Sequence, residues 1–206
     1  MIHQIINKLF STNTYVCVLE NNNCIIIDPG SDFETIDDFI SEFKYTPIAI
    51  LATHGHFDHI ASVSKFQTKY GSIFYLHNKD LKTLKLSNFL MKMFGLDGKI
   101  DIPSVDVLID ENNSIFEIDS FKVEFFNTPG HTSGSCVIQI NTDLFTGDTL
   151  FYSDFSSLKI PNDNSKILAQ SQQFIFENFG SDILIYPGHG DIGLLINLRK
   201  KLQINP

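Results

Sequence analysis

Hydrophobic residues in the first part of the chain occur in short runs that end at turn-forming residues. Residues 2–7 and 14–19 have the composition and spacing of half-buried β-strands, and residues 24–28 form an apolar run that is typical of a fully buried strand. The sequence Asp28-Pro29-Gly30 ends this third run with a turn. We therefore predict three strands before the first helix.

The hydrophobic period changes after this turn from that of a strand to that of a helix. Ser31 and Glu34 have the spacing of a capping box, in which each side chain accepts a hydrogen bond from the backbone of the other residue. Apolar residues then follow at helical intervals, namely Ile36, Phe39, Ile40 and Phe43. We expect an amphipathic helix over residues 32–44 that packs its apolar stripe on a sheet.

Strand and helix patterns continue to alternate along the rest of the chain. A buried strand is predicted at 48–52, and it leads directly into a histidine-rich segment. The other predicted elements are helices at 59–70, 80–94, 165–179 and 192–202, strands at 73–76 and 183–186, and short strands between residues 105 and 146. Two successive sets of strands, each followed by helices, predict an α/β fold, a four-layer αββα sandwich. We expect residues 1–206 to form a single domain, because no linker-like segment interrupts them.

The composition is typical of a folded protein in a reducing compartment. Hydrophobic residues make up 43% and charged residues 19% of the 206 residues, an ordinary balance for a globular chain. The three cysteines are scattered, and two of them, Cys17 and Cys24, fall in predicted strands. The N-terminal segment lacks the features of a signal peptide, and no apolar stretch reaches the length of about 18 residues that spans a bilayer. We therefore expect a cytoplasmic protein that does not associate with membranes.

The net charge of −9 restricts the kinds of partner. Proteins that bind the phosphates of nucleic acids usually carry a basic patch. The acidic charge therefore argues against nucleic acid as a partner and favours a small-molecule substrate.

Histidine residues are concentrated at three places where a predicted strand ends. Five of the seven histidines lie there: His54, His56 and His59 in the segment H-G-H-F-D-H, and His131 and His189, each after Pro-Gly. A single histidine after Pro-Gly is more often a turn residue than a ligand. Their joint occurrence indicates metal ligation, because loops at one rim of a sheet can bring imidazoles together. The other two, His3 and His77, have no such neighbours and are expected to be ordinary core or surface residues.

The H-x-H-x-D-H segment can supply ligands to two metal ions, because its first two histidines can point one way while Asp58 and His59 turn towards a second position. Two divalent ions about 3.5 to 4 Å apart need a bridging anion to relieve their repulsion. Asp148 is the candidate for this bridge, because it follows a short apolar strand that ends at a glycine.

Two acidic residues have alternative interpretations. Asp58 directly precedes a predicted helix, so it is either a metal ligand that also orients the nucleophilic water, which we favour, or a helix N-cap. Asp28 is either an acceptor that orients a ligand loop or an ordinary residue of its Asp-Pro-Gly turn.

Other clusters of basic and aromatic residues have simpler explanations. The basic residues are interpreted as solvated helix faces rather than anion sites: Lys82, Lys85 and Lys92, and Arg199-Lys200-Lys201. The aromatic residues near Asp148 are expected to form core and site wall: Phe145, Phe151, Tyr152 and Phe155. Of these, Tyr152 and Phe155 lie just beyond Asp148 and are candidates for lining a pocket.

Taken in order, these motifs resemble those of the metallo-β-lactamase superfamily, and in particular those of glyoxalase II (hydroxyacylglutathione hydrolase) and its short bacterial relatives. The resemblance covers most of the chain. The matching segments are Asp28-Pro29-Gly30, Thr53-His54-Gly55-His56-Phe57-Asp58-His59, Thr128-Pro129-Gly130-His131-Thr132-Ser133-Gly134-Ser135, Thr146-Gly147-Asp148-Thr149-Leu150-Phe151 and Tyr186-Pro187-Gly188-His189-Gly190.

The resemblance implies a hydrolase with a binuclear metal centre. Carried over position by position, the family pattern gives one metal the ligands His54, His56 and His131. It gives the other metal the ligands Asp58, His59 and His189, and Asp148 bridges the two. It implies zinc, with iron or manganese as alternatives, since mixed histidine and carboxylate sites accept all three. The implied reaction is attack by a metal-activated hydroxide on a thioester such as S-lactoylglutathione. The metal-ligand Asp58 would also be a catalytic residue that orients the water.

Other functions stay open at this point. A persulfide dioxygenase of similar fold would use one iron ion and fewer ligands, and related hydrolases act on lactones or other esters. A structural metal protein is disfavoured, because seven ligands for two ions leave positions for water, whereas structural zinc sites are closed by four ligands. The chain also departs from the family at residues 152–157, where members often carry a Gly-Arg or Gly-Lys segment and this chain has no cation before Lys159. A thioester is therefore implied more strongly than glutathione itself.

Overall fold

The structure is a computed structural model that describes residues 1–153 and 164–202, and two six-stranded sheets form its centre. Strands of the first sheet lie in the order in which they occur along the chain. The first three pair antiparallel, and β3 to β6 pair parallel. The strands are β1 (Ile2–Ile6), β2 (Asn13–Val18), β3 (Asn23–Ile27), β4 (Thr46–Leu51), β5 (Ile73–His77) and β6 (Val107–Ile109).

The second sheet has the strand order β12-β11-β10-β9-β8-β7. Its neighbours pair antiparallel except β10 and β11, which are parallel. The strands are β7 (Ile115–Ile118), β8 (Phe121–Asn127), β9 (Cys136–Ile140), β10 (Asp143–Gly147), β11 (Leu184–Pro187) and β12 (Gly193–Leu194). Most of this sheet is therefore built from consecutive hairpins.

Helices connect the strands and cover the outer faces of both sheets. They are α1 (Phe33–Glu42), α2 (Phe57–Ile60), α3 (Val63–Tyr70), α4 (Leu81–Lys85), α5 (Ser87–Met93), α6 (Ser165–Asn178) and α7 (Leu195–Lys201). Short 3₁₀ turns occupy Glu20–Asn22 and Asn78–Asp80. Within the described part of the chain, no helix has both the length and the apolar character needed to cross a bilayer.

Alternation of side chains along the strands produces three apolar layers. In β3, Ile25 and Ile27 face the second sheet, where they pack with Phe125 and Phe145, whereas Ile26 faces outwards. The outward layer of the first sheet packs on residues of α1 and α3, which include Ile36, Ile40 and Phe66. The corresponding layer of the second sheet packs on α6 and α7, through Ile175, Phe176, Leu195 and Leu198. The expected αββα sandwich is therefore confirmed.

The capping box expected at the start of α1 is wrong. The helix begins after Asp32, whose side chain makes no capping hydrogen bond. Instead the Ser31 hydroxyl donates to Asp32 Oδ1 at 2.7 Å, and Asp32 Oδ2 accepts from the backbone of Lys8 at 3.1 Å. These side chains anchor the N-terminal segment of the chain rather than the helix.

Two predicted helices are interrupted in the structure. The helix expected at 59–70 is divided into α2 and α3, because the backbone N–H and hydroxyl of Ser62 donate to the carbonyls of Pro29 and Gly30 rather than joining one helical series. The helix expected at 80–94 is divided into α4 and α5 at Leu86. The expected helix over 192–202 begins as strand β12, since Gly193 pairs with β11.

The basic segment near the end of α7 is only partly a solvated face. Arg199 is buried and donates to the carbonyls of Phe176 and Phe179, which lie at the C-terminal end of α6. A cation at this position interacts favourably with the partial negative charge of the helix end. The interpretation of Arg199 as a solvated residue is therefore wrong.

Candidate metal centre

Loops that carry the candidate ligands meet at one edge of the sandwich. β4 leads into the loop of His54 and His56, β8 precedes the loop of His131, β10 directly precedes Asp148, and β11 precedes the loop of His189. β10 and β11 are parallel, and β8 runs the same way because β9 lies antiparallel between β8 and β10. The carboxyl ends of these strands therefore lie together, as in other α/β sites.

Three buried imidazoles form what we call the first half-site: His54, His56 and His131. Each offers a ring nitrogen within 4.8 Å of the others. His56 Nδ1 lies 2.9 Å from His131 Nε2. Two nitrogen ligands of one tetrahedral zinc ion lie about 3.3 Å apart, so this spacing suits a shared metal ion.

The second half-site is formed by Asp58, His59 and His189, whose ligand atoms are also within 4.8 Å of one another. Asp58 and His59 lie within α2, not in the loop before it, and the N-cap of α2 is His56. The alternative of Asp58 as a helix N-cap is therefore wrong. Its Oδ2 instead accepts a hydrogen bond from Thr12 at 2.9 Å and lies 3.5 Å from His59 Nε2.

Asp148 lies between the two half-sites. Its Oδ1 is 3.4 Å from His59 Nε2, and its Oδ2 is 3.4 Å from His131 Nε2 and 3.6 Å from His189 Nε2. One carboxylate thus faces ligand atoms of both half-sites, which is the position a bridging anion requires.

The donor atoms fit divalent metal ions. In the described part of the chain, His54 Nε2, His59 Nε2 and Asp148 Oδ1 are buried and have no hydrogen-bond partner. Unsatisfied buried polar atoms are unfavourable and call for a partner such as an ion. Since all three point into the same cluster, metal coordination explains them together.

Asp28 determines which nitrogen of two ligand histidines carries the proton. Its Oδ2 lies 2.9 Å from His59 Nδ1 and accepts from the Thr53 hydroxyl at 2.6 Å, and its Oδ1 accepts from the Thr53 N–H at 2.8 Å. Because the Thr53 hydroxyl donates to Asp28, it accepts from His54 Nδ1 at 3.1 Å. His54 then presents an unprotonated Nε2 to the site, and the neutral form of His59 does the same. Asp28 is thus an acceptor that orients ligands, which is the first of the two interpretations that its sequence position allowed.

His189 is oriented in a similar way from the N-terminal segment. Its Nδ1 donates to the carbonyl of Phe10 at 3.0 Å, since a carbonyl can only accept, and its Nε2 faces Asp58 at 3.6 Å. An isolated bridge between Thr12 and His189 joins the two sheets at this point. The loop between β1 and β2 therefore supports the second half-site, although no motif in it indicates this.

Electrostatics in the cluster favour the ligand forms of His54, His56 and Asp148, but the protonated form of His59. Burial, with repulsion between neighbouring imidazoles, holds the pKa of His54 and His56 well below the ordinary value. Burial also opposes the charged form of His59, but nearby carboxylates outweigh it and raise its pKa to about 10. Burial disfavours ionised Asp148 as well, yet the surrounding histidines hold its pKa well below the usual range. Neutral His54 and His56 and ionised Asp148 are the forms that bind metal ions, and an ion at the second half-site would have to displace a proton from His59.

A glycine is required where the loops come closest. A Cβ atom at Gly188 would lie 2.2 Å from Asp148 Oδ1 and 2.7 Å from the ring of His59. A side chain there would displace atoms of both half-sites, so packing requires glycine at this position.

Asp80 is a supporting residue that the sequence does not reveal. It is completely buried, and its carboxylate accepts from the backbone N–H groups of Gly55 at 2.7 Å and Gly134 at 2.8 Å and from the Thr132 hydroxyl at 2.8 Å. Burial raises its pKa, which these hydrogen bonds partly oppose. Asp80 thereby joins the loop of His54 and His56 to the loop of His131.

Three other residues considered from the sequence, His3, His77 and Tyr152, are not among the candidate ligands. His3 packs on Phe39, with ring centroids 4.9 Å apart, and His77 is buried and accepts from the backbone of Lys79. Tyr152 packs in the outer layer of the second sheet rather than in the site. Phe155 and Lys159 lie outside the described residues.

Replacing Asp28 with asparagine is expected to weaken metal binding about 10- to 100-fold, as loss of a group that orients ligands usually does. Asparagine tolerates the positive φ of 49° at this position, but it has one acceptor oxygen instead of two and no charge, so its NH2 group must face either the Thr53 N–H or the His59 and Thr53 hydroxyl donors. Competition with a chromogenic chelator measures the affinity. Asp119→Asn is the matched control, because Asp119 also has a positive φ of 54° but lies in the turn between β7 and β8. Equal affinities in the two variants would contradict the role of Asp28.

Replacing Asp80 with alanine is expected to lower the free energy of unfolding by about 3 kcal/mol, since two backbone N–H groups and a hydroxyl lose a buried charged acceptor. Urea unfolding followed by circular dichroism measures this. Asp106 is the control: it also accepts from a backbone N–H, that of Phe74, but it is exposed, so Asp106→Ala should cost about 1 kcal/mol or less. The assignment fails if Asp80→Ala is no more destabilising than Asp106→Ala.

Comparison with known proteins places this geometry in a family. A model of the metallo-beta-lactamase superfamily matches residues 7–194. The probable metallo-hydrolase YqgX of Bacillus subtilis is 29% identical over 177 residues, which cover 84% of this chain and 82% of that protein. The hydroxyacylglutathione hydrolase GloC of Haemophilus influenzae is 28% identical over 184 residues, which cover 88% of this chain and 86% of that protein.

Solved structures agree over nearly the full length. The BLEG-1 B3 metallo-beta-lactamase superposes with a TM-score of 0.87 at 27% identity, with 97% of each chain covered. TTHA1623 in a di-iron-bound form superposes with a TM-score of 0.82 at 25% identity, again with 97% of each chain covered. With its αββα sandwich and its clusters of histidine and aspartate able to bind metal, this chain belongs to the metallo-β-lactamase superfamily of metallo-hydrolases.

Proposed function

We propose that this protein is a thioesterase that uses two divalent metal ions, zinc in the first instance, with ligands from the two half-sites and Asp148 as the bridge. The observation that carries the proposal is the position of Asp148, whose carboxylate lies within 3.6 Å of histidine nitrogens of both half-sites. A carboxylate shared in this way suits a pair of ions better than one ion.

The number of ligands favours catalysis over a structural role. Each half-site offers three ligand atoms, and Asp148 can complete either of them. Structural zinc sites are closed by four protein ligands, whereas catalytic sites keep a position for water or substrate. Two closed sites would need eight ligands, whereas this centre offers seven and the two half-sites share Asp148, an arrangement that suits a two-metal catalytic site.

The proposed mechanism follows from the groups that surround the metal centre. When bound by the two half-sites and Asp148, a pair of divalent ions would supply hydroxide at neutral pH and positive charge beside the reacting carbonyl. Asp58, held by Thr12 at 2.9 Å, accepts a hydrogen bond from the attacking water and so orients it. The departing thiolate is a weak base, with a pKa of about 8.5 for a simple thiol, so it needs little help from a protein acid.

Similarity to GloC supports a thioester as the substrate, because that relative is a hydroxyacylglutathione hydrolase and is similar over 88% of this chain. Similarity to BLEG-1, at 27% identity, makes a β-lactam the substrate to exclude. Substrate turnover decides between these two hypotheses.

The test is a substrate screen on protein whose metal content has been quantified. S-lactoylglutathione and other thioesters, an ester, a lactone and a chromogenic β-lactam would be assayed for hydrolysis, and a persulfide for oxygen uptake. We expect two metal ions per chain and thioester turnover well above that of the other substrates. Removal of the metals with a chelator should abolish turnover, and zinc, iron or manganese should restore it.

Three results would contradict the proposal. Oxygen uptake with the persulfide and a single iron per chain would identify a dioxygenase. Faster turnover of the lactam or the lactone than of any thioester would change the substrate class. Full activity after complete removal of the metals would exclude the metal centre itself.

A further inference from the structure

A cavity of about 620 Å³ opens directly beside the first half-site, and His56 and His131 form part of its lining. Sites for small molecules usually have volumes of about 300–1,000 Å³. The rest of the lining comes mainly from the segment that contains α4 and α5 and from the loop after His131. A substrate whose reacting carbonyl lies at the metal centre would place its remaining atoms here.

One wall of this cavity is apolar although it faces water. Leu86, Phe89 and Met93 lie on this wall and are 40%, 60% and 55% exposed. Single exposed apolar side chains are common, but three large ones that line one cavity are not explained by packing among residues 1–153 and 164–202. They are available to an apolar part of a ligand.

The rim of the same cavity is cationic. Lys79 and Lys82 line it, and no aspartate or glutamate is among its described lining residues, although the chain has 24 acidic residues. Lys79 lies 3.6 Å from Glu111, whose side chain is 85% exposed, and such a surface pair is weak. Both lysines can therefore bind an anionic ligand.

Two other lysines, on α4 and α5, lie outside the cavity. Lys85 in α4 and Lys92 in α5 are exposed and are not part of the lining, as expected for a solvated face. Lys82 is exposed as well, but it lies on the rim beside His56 and His131. All three lysines are exposed, as the interpretation of solvated faces expects, but of the three only Lys82 also lines the cavity.

We propose that this cavity selects thioesters that join an apolar group to an anionic group, with Phe89 and Lys82 as specificity-determining residues. The apolar group contacts Leu86, Phe89 and Met93, and the anion, a carboxylate or a phosphate, contacts Lys79 and Lys82. This inference rests on the proposed thioesterase function and adds the substrate class. S-lactoylglutathione, with its small hydroxylated acyl group, would leave the apolar wall uncovered.

The test uses stable thioethers, whose binding does not depend on turnover. Isothermal titration calorimetry on the metal-loaded protein would compare S-hexylglutathione with S-methylglutathione, which lacks the long apolar group, and with S-hexyl-N-acetylcysteamine, which lacks the charge. We expect S-hexylglutathione to bind about 10-fold tighter than the methyl compound and about 5-fold tighter than the neutral one. S-hexyl-coenzyme A distinguishes the anion: tighter binding than S-hexylglutathione indicates phosphate, and weaker binding indicates carboxylate.

Variants assign each preference to its residue. Phe89→Ser should remove the preference for hexyl over methyl, and Lys82→Gln should reduce the preference for the charged compound to about 2-fold or less. The matched controls are Phe43→Ser, since Phe43 is 47% exposed at the end of α1, and Lys85→Gln, since Lys85 is on the same helix as Lys82. Both controls should keep the preferences of the unmodified protein.

Failure of this inference can be separated from failure of the proposed function. Equal binding of the three thioethers, in a protein that hydrolyses thioesters, overturns the assignment of the cavity and leaves the thioesterase function intact. Selective binding without hydrolysis of any thioester overturns the thioesterase function. If Phe89→Ser alters the sedimentation coefficient but not the binding preference, the apolar wall is an interface between copies of the chain and the inference is wrong.

Discussion

Replacing both His54 and His56 with alanine is expected to lower kcat/KM by at least about 10⁴-fold and to remove at least one of the bound metal ions. Two of the three nitrogens of the first half-site disappear, and His131 alone cannot hold an ion there. Without that ion, water at the site returns from a pKa near 7 towards its ordinary value, and the nucleophile is lost at neutral pH.

Elemental analysis of the purified variant, together with turnover of the best thioester, measures both effects. His3→Ala is the control, because His3 lies outside the ligand clusters and packs on Phe39. A circular dichroism spectrum checks that the double variant is folded. Full activity of the folded double variant would show that the site has been placed wrongly.

Replacing Asp148 with asparagine is expected to lower kcat about 10³-fold, with loss of one metal ion at limiting metal concentration. Asparagine fills nearly the same space, which matters because Gly188 packs directly on this side chain. The neutral amide, however, cannot offset the repulsion between two ions that share it. The first half-site keeps its three histidines, so a variant with one ion is the expected product.

The control for Asp148→Asn lies at the other end of the same strand. Asp143 begins β10 and accepts a hydrogen bond from the Tyr186 hydroxyl at 3.0 Å, away from the ligands. Asp143→Asn should keep both ions and full turnover, since it makes the same change of charge outside the site. Two ions per chain in Asp148→Asn, bound as tightly as before, would exclude the bridging role.

Local patterns in the sequence were sufficient for most of the fold. Strands and helices were predicted in nearly the correct order, because side-chain period and turn residues act within a few positions of the chain. The errors arose where distant contacts override a local preference. Ser31 bonds to Asp32 and Leu9 rather than capping α1, and Ser62 bonds to the loop at Pro29 and Gly30.

The candidate ligands were also predictable, because each follows a strand end within a recognisable motif. Of the groups that support these ligands, Asp28 had two interpretations from the sequence and Asp80 was not predicted. Asp28 contacts His59 across 31 residues, and Asp80 contacts the loops of Gly55 and Gly134 across 25 and 54 residues. In the sequence, Asp80 is an ordinary acid near the start of a predicted helix, and no signal marks its partners.

The sequence by itself determined the types of residue available for metal binding and the strand ends on which they lie. The tertiary structure decided which of them meet, through the direction and pairing of β8, β10 and β11, and it brought Asp148 between the half-sites. It also placed Lys82 and Phe89 on a cavity beside His56. The physical reason is that secondary structure depends on near neighbours, whereas a site depends on how whole sheets pack, which no short segment encodes.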